Sequence, residues 1–104
     1  MYNGKKEKET DMKKLTIFHL DDCPYCHNAR RALEELIREH PAYGEIGIEW
    51  IEESRQPELA DAYDYYYVPA VFAGREKLCE ARPGESFAEC RQKLRAALDA
   101  VGET

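Results

Sequence analysis

The sequence has no long hydrophobic run, and this absence sets the first limits on its function. Its 104 residues are 43% hydrophobic and 35% charged. No stretch approaches the roughly 20 apolar residues that a transmembrane helix needs. The first ten residues are polar and lack the apolar centre of a secretory signal. We therefore expect a cytoplasmic protein with no membrane partner.

Positive charge is also scarce, since the formal net charge is −6 at pH 7. This balance disfavours nucleic acid as a partner, because phosphates attract the opposite sign. The length allows one domain and excludes an enzyme with a cofactor-binding domain of its own. We expect a monomer with a flexible N-terminal tail over residues 1–13 and one folded domain over residues 14–104.

The spacing of apolar residues predicts alternating strands and helices. The segment 15–20 (LTIFHL) is typical of a strand covered on both faces, and Pro24 suits the first turn of a helix that ends near Glu39. Further strands are predicted over 46–51, 70–73 and 77–80, and further helices over 57–63 and 86–101. This order predicts an α/β fold with a mixed four-stranded sheet flanked by three helices.

The four cysteines are the residues that indicate a chemical function. Cys23 and Cys26 form a C-x-x-C pair, whereas Cys79 and Cys90 stand alone. Because no export signal accompanies them, thiol chemistry or metal binding is favoured over structural disulfides. Cys23 lies where a helix begins, and the positive end of the helix favours a thiolate. Cys26 lies one turn further on the apolar stripe, which predicts a buried thiol of higher pKa.

This arrangement predicts a two-step thiol–disulfide exchange. Cys23 attacks a substrate disulfide, a mixed disulfide forms, and Cys26 resolves it. Pro24 and Tyr25 restrict the loop between the two cysteines, and we expect Tyr25 beside the exposed sulfur, in contact with substrate. Both residues are therefore predicted to bind substrate.

Other uses of the same residues remain open. A zinc site needs two more ligands, but Cys79 and Cys90 fall on different predicted elements. The string C-P-Y-C-H, which ends at His27, also matches a haem-attachment motif, and a shared iron–sulfur cluster would use the same thiols. A metal or cluster carrier, or an interaction module without enzyme activity, is therefore an alternative. We expect no tightly bound cofactor and no metal.

The remaining polar and aromatic features have competing interpretations. Cys90 is predicted to pack in the core, while Cys79 either packs in a strand or acts as a third redox thiol. The tyrosines at 63, 65, 66 and 67 either pack a loop against the sheet or form a docking surface for a protein. The acid-rich segments 49–53 and 61–64 are predicted to be solvated edges.

Two motifs resemble a known family. Cys23-Pro24-Tyr25-Cys26, between a strand and a helix, is similar to the dithiol active site of glutaredoxins. Val68-Pro69 resembles the cis-proline element of the wider thioredoxin superfamily, and the resemblance extends over residues 14–101. It implies a thioredoxin-like fold and a thiol–disulfide oxidoreductase for protein or small mixed disulfides, active in electron transport and cell redox homeostasis.

The resemblance also implies roles for residues and a co-substrate. Cys23 would be the nucleophile, and the backbone of Val68, beside Pro69, would pair with the bound thiol substrate. Glutathione or another thiol would serve as co-substrate. The protein substrate would carry a disulfide.

Three departures from the family concern the electron donor. The lysine that many glutaredoxins carry before the first cysteine is absent, and Asp21 and Asp22 there would repel both glutathione and a thiolate. Tyr67 replaces the usual threonine. The Gly-Gly-x-Asp turn that caps glutathione is replaced by CEARPGE over 79–85, whose Arg-Pro pair is similar to redoxins reduced by thioredoxin reductase. Glutathione and thioredoxin reductase both remain candidates.

Overall fold

The described part of the chain folds into four strands and three α-helices. A computed structural model describes residues 14–102, so the predicted tail at 1–13 lies outside the described residues. The elements are β1 (Lys14–His19), α1 (Pro24–Glu39), β2 (Gly47–Glu52), α2 (Pro57–Asp61), β3 (Ala70–Ala73), β4 (Glu76–Glu80) and α3 (Phe87–Gly102). A 3₁₀ helix over Pro41–Glu45 follows α1.

The four strands form one mixed sheet in the order β2-β1-β3-β4. β1 runs parallel to β2, with α1 as the crossover between them. β3 is antiparallel to both β1 and β4. The predicted α/β fold, with a mixed four-stranded sheet and three helices, is therefore confirmed. The parallel pairing places the ends of β1 and β2 at the same edge of the sheet, where the C-x-x-C segment begins.

Both faces of the sheet are covered, because alternate side chains of a strand point to opposite sides. Leu15 and Ile17 of β1 belong to the core beneath α1 and α3, and Phe18 belongs to a second core on the other face. The first core also contains Ala29, Ala32, Leu33, Leu36, Ile46, Val71, Cys90, Leu94, Ala97, Leu98 and Val101. The second contains Ile51, Ala70 and Phe72. β1 is thus buried on both sides, as its apolar run predicts.

Element boundaries differ from the sequence prediction where loops pack on the sheet. α2 ends at Asp61, two residues before the predicted end. The ring of Tyr63 instead packs against Phe18 and Phe72, with 4.8 Å between ring centroids in each pair. The register of β4 shifts opposite Val71 and Phe72, which is a β-bulge.

The start of α3 has the predicted capping box. The backbone N–H of Ser86 donates to Glu89 Oε1 at 2.8 Å, and the N–H of Glu89 donates to Ser86 Oγ at 3.1 Å. Two of the free N–H groups at this helix end are satisfied by the chain itself. Within residues 14–102, no helix has the length and apolar composition required to cross a bilayer.

The packing of α1 predicts a large difference between two leucines. Leu36 is fully buried in the core, whereas Leu59 is 37% exposed. We expect Leu36→Ala to lower the free energy of unfolding by about 2–5 kcal/mol, because it leaves a cavity. The control Leu59→Ala should cost less than about 0.5 kcal/mol. Urea titration followed by circular dichroism measures both, and equal losses would contradict this packing.

Candidate active site

Cys23 occupies the N-cap of α1, at the junction of strand and helix. Its backbone N–H donates to Leu20 O at 3.2 Å, and its carbonyl accepts the N–H groups of Cys26 at 3.0 Å and His27 at 3.1 Å. Its backbone is extended, and Pro24 takes the first helical position, where no N–H is needed. Cys23 is only partly buried. The sulfur therefore lies at the positive end of the helix and can be reached from solvent.

Cys26 lies one turn further along α1 and faces the core. It is 1% exposed. Burial raises the pKa of its thiol to about 12, despite a hydrogen bond with the Leu20 backbone that acts in the opposite direction. The two cysteines of the pair thus differ in environment, one partly exposed and one buried, as the helical stripe predicts.

A second segment of the chain meets Cys23 from the other side. The Val68-Pro69 peptide bond is cis. The Sγ atom of Cys23 lies 3.7 Å from the carbonyl oxygen of Val68, to which it donates. Pro69 is buried, and its carbonyl accepts the N–H of Ala81 at 2.9 Å, which ties this segment to the end of β4. The structure therefore brings together Cys23, Cys26, Val68 and Pro69.

The two residues between the cysteines have different surroundings. Pro24 is exposed, and Tyr25 is partly buried. The hydroxyl of Tyr25 accepts the N–H of Gly84 at 2.8 Å, so this side chain is held against the loop that follows β4. Gly84 has a φ of 83°, a conformation that favours glycine. The loop 82–85 thus lies next to the dithiol, and substrate binding by Pro24 and Tyr25 stays a prediction.

Comparison with known proteins identifies a family whose model matches the part of the chain that contains these site residues. The glutaredoxin family model matches residues 15–78, a span that contains the dithiol and the Val68-Pro69 bond. The chain belongs to the glutaredoxin family. This membership supports thiol–disulfide oxidoreductase chemistry in general.

A solved structure shows the same fold. Thioredoxin 1 from the thermophilic eubacterium Thermosipho africanus TCF52B is similar, with 18% sequence identity and a TM-score of 0.54. The alignment covers 83% of this chain and 94% of that chain. At this identity the likeness concerns the thioredoxin-like fold alone. No curated protein matches the chain.

In this glutaredoxin-family chain, Glu52 supports the loop before the dithiol. Glu52 was predicted to lie on a solvated edge, and that prediction is wrong, because the residue is only 9% exposed. Its carboxylate accepts the N–H of Asp21 at 3.0 Å and the N–H of Ser54 at 2.9 Å. The hydroxyl of Ser54 also donates to this carboxylate. The bond from the hydroxyl contributes most, and together these bonds lower the pKa of Glu52 to about 2. The buried position of Glu52 could have been predicted from the sequence, because Glu52 lies at the end of a strand that runs parallel to β1.

Asp21 joins Glu52 to the first turn of α1. The Nε2–H group of His27 donates to the carbonyl of Asp21 at 2.6 Å. The Asp21 carboxylate pairs with Arg55 at 2.8 Å, which offsets its charge. Asp22 is exposed and forms no ion pair within the described part of the chain. Of the two carboxylates before Cys23, one is therefore neutralised and one is not.

The two remaining cysteines lie in less reactive surroundings. Cys90 is buried in the core, as predicted, and Cys79 is partly buried on β4. Burial raises the pKa of each thiol to about 11, so both are protonated at neutral pH. Across residues 14–102, no three His, Cys, Asp or Glu side chains are grouped to hold a metal ion.

The four tyrosines divide into two pairs. Tyr63 and Tyr65 pack on Phe18, with ring centroids 4.8 and 5.1 Å away, which agrees with the packing interpretation. Tyr66 and Tyr67 are 86% and 50% exposed, so the packing interpretation is wrong for them.

The carboxylate of Glu52 predicts a specific loss of stability in acid. Its pKa in the folded protein is about 2, against an ordinary value of 4.5. Its contribution is therefore full above pH 4.5 and is lost as the pH falls towards 2. We expect Glu52→Gln to be less stable than the parent at pH 7 and to lose less stability between pH 5 and pH 3.

Urea midpoints at both pH values measure this effect. The matched control is Glu34→Gln, because the side chain of Glu34 is exposed on α1 and makes no hydrogen bond within residues 14–102. The control should keep the acid dependence of the parent. If Glu52→Gln also keeps it, the carboxylate does not stabilise the loop before the dithiol in the way described.

Proposed function

We propose that this protein is a thiol–disulfide oxidoreductase that reduces protein or small mixed disulfides, with Cys23 as nucleophile and Cys26 as resolving thiol. The observation that carries the proposal is the placement of the two sulfurs. Cys23 is partly exposed at the N-terminus of α1, and Cys26 is buried one turn behind it. An accessible nucleophile with a protected second thiol is what stepwise exchange requires.

The reaction proceeds in two exchanges. The thiolate of Cys23 attacks one sulfur of the substrate disulfide, the substrate S–S bond breaks, and the other substrate sulfur leaves and takes up a proton. Cys26 then loses its proton, and its sulfur attacks that of Cys23 in the mixed disulfide. This step releases the second substrate thiol and leaves a Cys23–Cys26 disulfide. The substrate gains two electrons and two protons, which the protein loses.

The loop that contains the cis bond gives the substrate a place to bind. The Val68 carbonyl lies 3.7 Å from the Cys23 sulfur. An extended segment next to this backbone would bring its own sulfur to Cys23, in contact with Pro69 and with the exposed ring of Pro24. The hydroxyl of Tyr25 accepts the N–H of Gly84, and we expect this side chain to border the substrate on the side of the loop that follows β4.

The proposal includes the setting in which the protein works. We propose that it acts as a monomer in the cytoplasm, where reductants keep dithiols reduced. The oxidised pair must be reduced again after each cycle, by two thiol molecules such as glutathione or by a flavoprotein reductase.

Cysteine variants separate the two roles. We expect Cys23→Ser to lose essentially all turnover of a protein disulfide such as insulin. Cys26→Ser should still attack but cannot resolve, so it should accumulate a mixed disulfide with the substrate that mass spectrometry detects. The control Cys79→Ala should keep turnover within about twofold, since burial keeps that thiol protonated. Full turnover by Cys23→Ser would disprove the assignment.

One observation favours a reductase over glutathione as the electron donor. In the glutaredoxins that the sequence resembles, backbone N–H groups of a glycine turn after the fourth strand cap glutathione. In this chain the corresponding turn carries Glu85, which pairs with Lys93, and the next helix is capped by its own Ser86 and Glu89. Lys93 is therefore already paired, and the helix end is filled by its own side chains, which leaves little positive charge to bind an anionic tripeptide.

A coupled assay compares the two donors. Oxidised protein is supplied either with glutathione and glutathione reductase or with thioredoxin reductase, and oxidation of the nicotinamide donor is followed. We expect turnover with thioredoxin reductase to exceed that with glutathione by about tenfold or more. In Glu85→Gln/Glu89→Gln, turnover with glutathione should rise, because Lys93 loses its partner and the net charge of this turn becomes two units more positive. Faster turnover of the parent with glutathione would contradict the preference.

A further inference from the structure

Two exposed tyrosines lie next to the reacting sulfur. Tyr66 is 86% exposed and Tyr67 is 50% exposed. They directly precede Val68, whose carbonyl contacts Cys23. Of residues 14–102, Leu59 is the other large apolar residue with comparable exposure. Neither ring stacks on another aromatic ring of the described chain, unlike the rings of Tyr63 and Tyr65.

The backbone that carries these rings is held in place. The carboxylate of Glu80 accepts the N–H of Tyr66 at 2.9 Å and the N–H of Tyr67 at 2.8 Å. Glu80 is itself paired with Lys77. The rings are therefore presented to solvent from a fixed backbone, so ordering this loop adds little cost when a partner binds.

Charges around the two rings are negative. Asp64 precedes them, Asp61 ends α2, and Asp22 precedes Cys23. All three are exposed and make no ion pair within residues 14–102.

Three cations of the same region already have partners. Arg55 pairs with Asp21 and Lys77 with Glu80. Arg75 donates to a backbone carbonyl and lies over the ring of Tyr63. The exception is Arg82, which is exposed on the loop that Tyr25 contacts and makes no ion pair within residues 14–102.

We propose that Tyr66 and Tyr67 form a docking surface for a cationic, extended segment of the protein that carries the substrate disulfide. Arginine or lysine side chains beside the substrate cysteine would lie on the tyrosine rings, which attract cations through their faces. The unpaired aspartates would add long-range attraction. The inference rests on the exchange proposed for Cys23 and names the class of substrate that the exchange favours.

Peptides with one cysteine in a mixed disulfide with 5-thio-2-nitrobenzoate test this preference. Three peptides of equal length carry two arginines, two glutamines or two glutamates beside the cysteine. Stopped-flow absorbance gives the rate constant with reduced full-length protein, and each value is divided by the rate of the same peptide with dithiothreitol, an uncharged dithiol. This division removes differences in the intrinsic reactivity of the peptides.

We expect the arginine peptide to react about tenfold or more faster than the glutamate peptide at about 0.01 M salt. At about 1 M salt the two rates should agree within about twofold, because the Debye length falls from roughly 30 Å to 3 Å. Equal rates at low salt, or a ratio that salt does not change, would overturn the proposal. No release of the chromophore from any peptide would overturn the proposed exchange itself, so the two failures are distinguishable.

Variants locate the effect on the surface. Tyr66→Ser should slow the arginine peptide about threefold or more, whereas Tyr66→Phe should keep the parental rate because the ring remains. Asp22→Asn/Asp64→Asn should reduce the ratio of arginine to glutamate peptide rates. The control Glu34→Gln/Glu45→Gln makes the same change in net charge on the later turns of α1 and beyond it, and should leave the ratio unchanged. Equal rates for Tyr66→Ser and Tyr66→Phe would exclude the Tyr66 ring from docking and overturn the proposed surface.

Discussion

The junction between a buried strand and a helix is the constraint on which the site depends. β1 is covered on both faces, so its direction is fixed by packing on two cores. The turn after it places Cys23 at the first free N–H groups of α1 and Cys26 on the face that packs inward. One geometric fact therefore gives the two thiols opposite environments. The difference in their burial follows from helix periodicity.

The junction is held from β2 as well as from β1. Glu52 pairs with His19 in the parallel register and accepts the N–H of Asp21 beyond the end of β1. An ionised carboxylate is a strong acceptor, and the hydrogen bonds from the Ser54 hydroxyl and from the two backbone N–H groups are why its pKa is lowered. The acidic residues of this region thus have different uses. Glu52 stabilises the loop, Asp21 is neutralised by Arg55, and Asp22 remains as a free surface charge.

Periodicity and capping were sufficient to predict the fold and the dithiol from the sequence. β1, α1 and the Ser86–Glu89 capping box depend on local spacing, and local spacing is visible in one chain. The bonds between Gly84 and Tyr25 and between Asp21 and Glu52 join residues 59 and 31 positions apart. Such pairs follow from tertiary packing, so no local pattern encodes them. The resemblance to glutaredoxins supplied the approach of Val68 to Cys23, which spacing alone does not give.

The four tyrosines between residues 63 and 67 fall into a packed pair and an exposed pair. Tyr63 and Tyr65 turn towards Phe18 and complete the second core, whereas Glu80 holds the backbone of Tyr66 and Tyr67 so that their rings remain outside. A protein that needed these rings only for stability would bury them, because exposed aromatic area gains nothing from the hydrophobic effect. Their place beside Val68 and the negative charge around them argue for selection of a partner. Specificity would then come from the surface around the sulfur, while the chemistry stays with the two thiols.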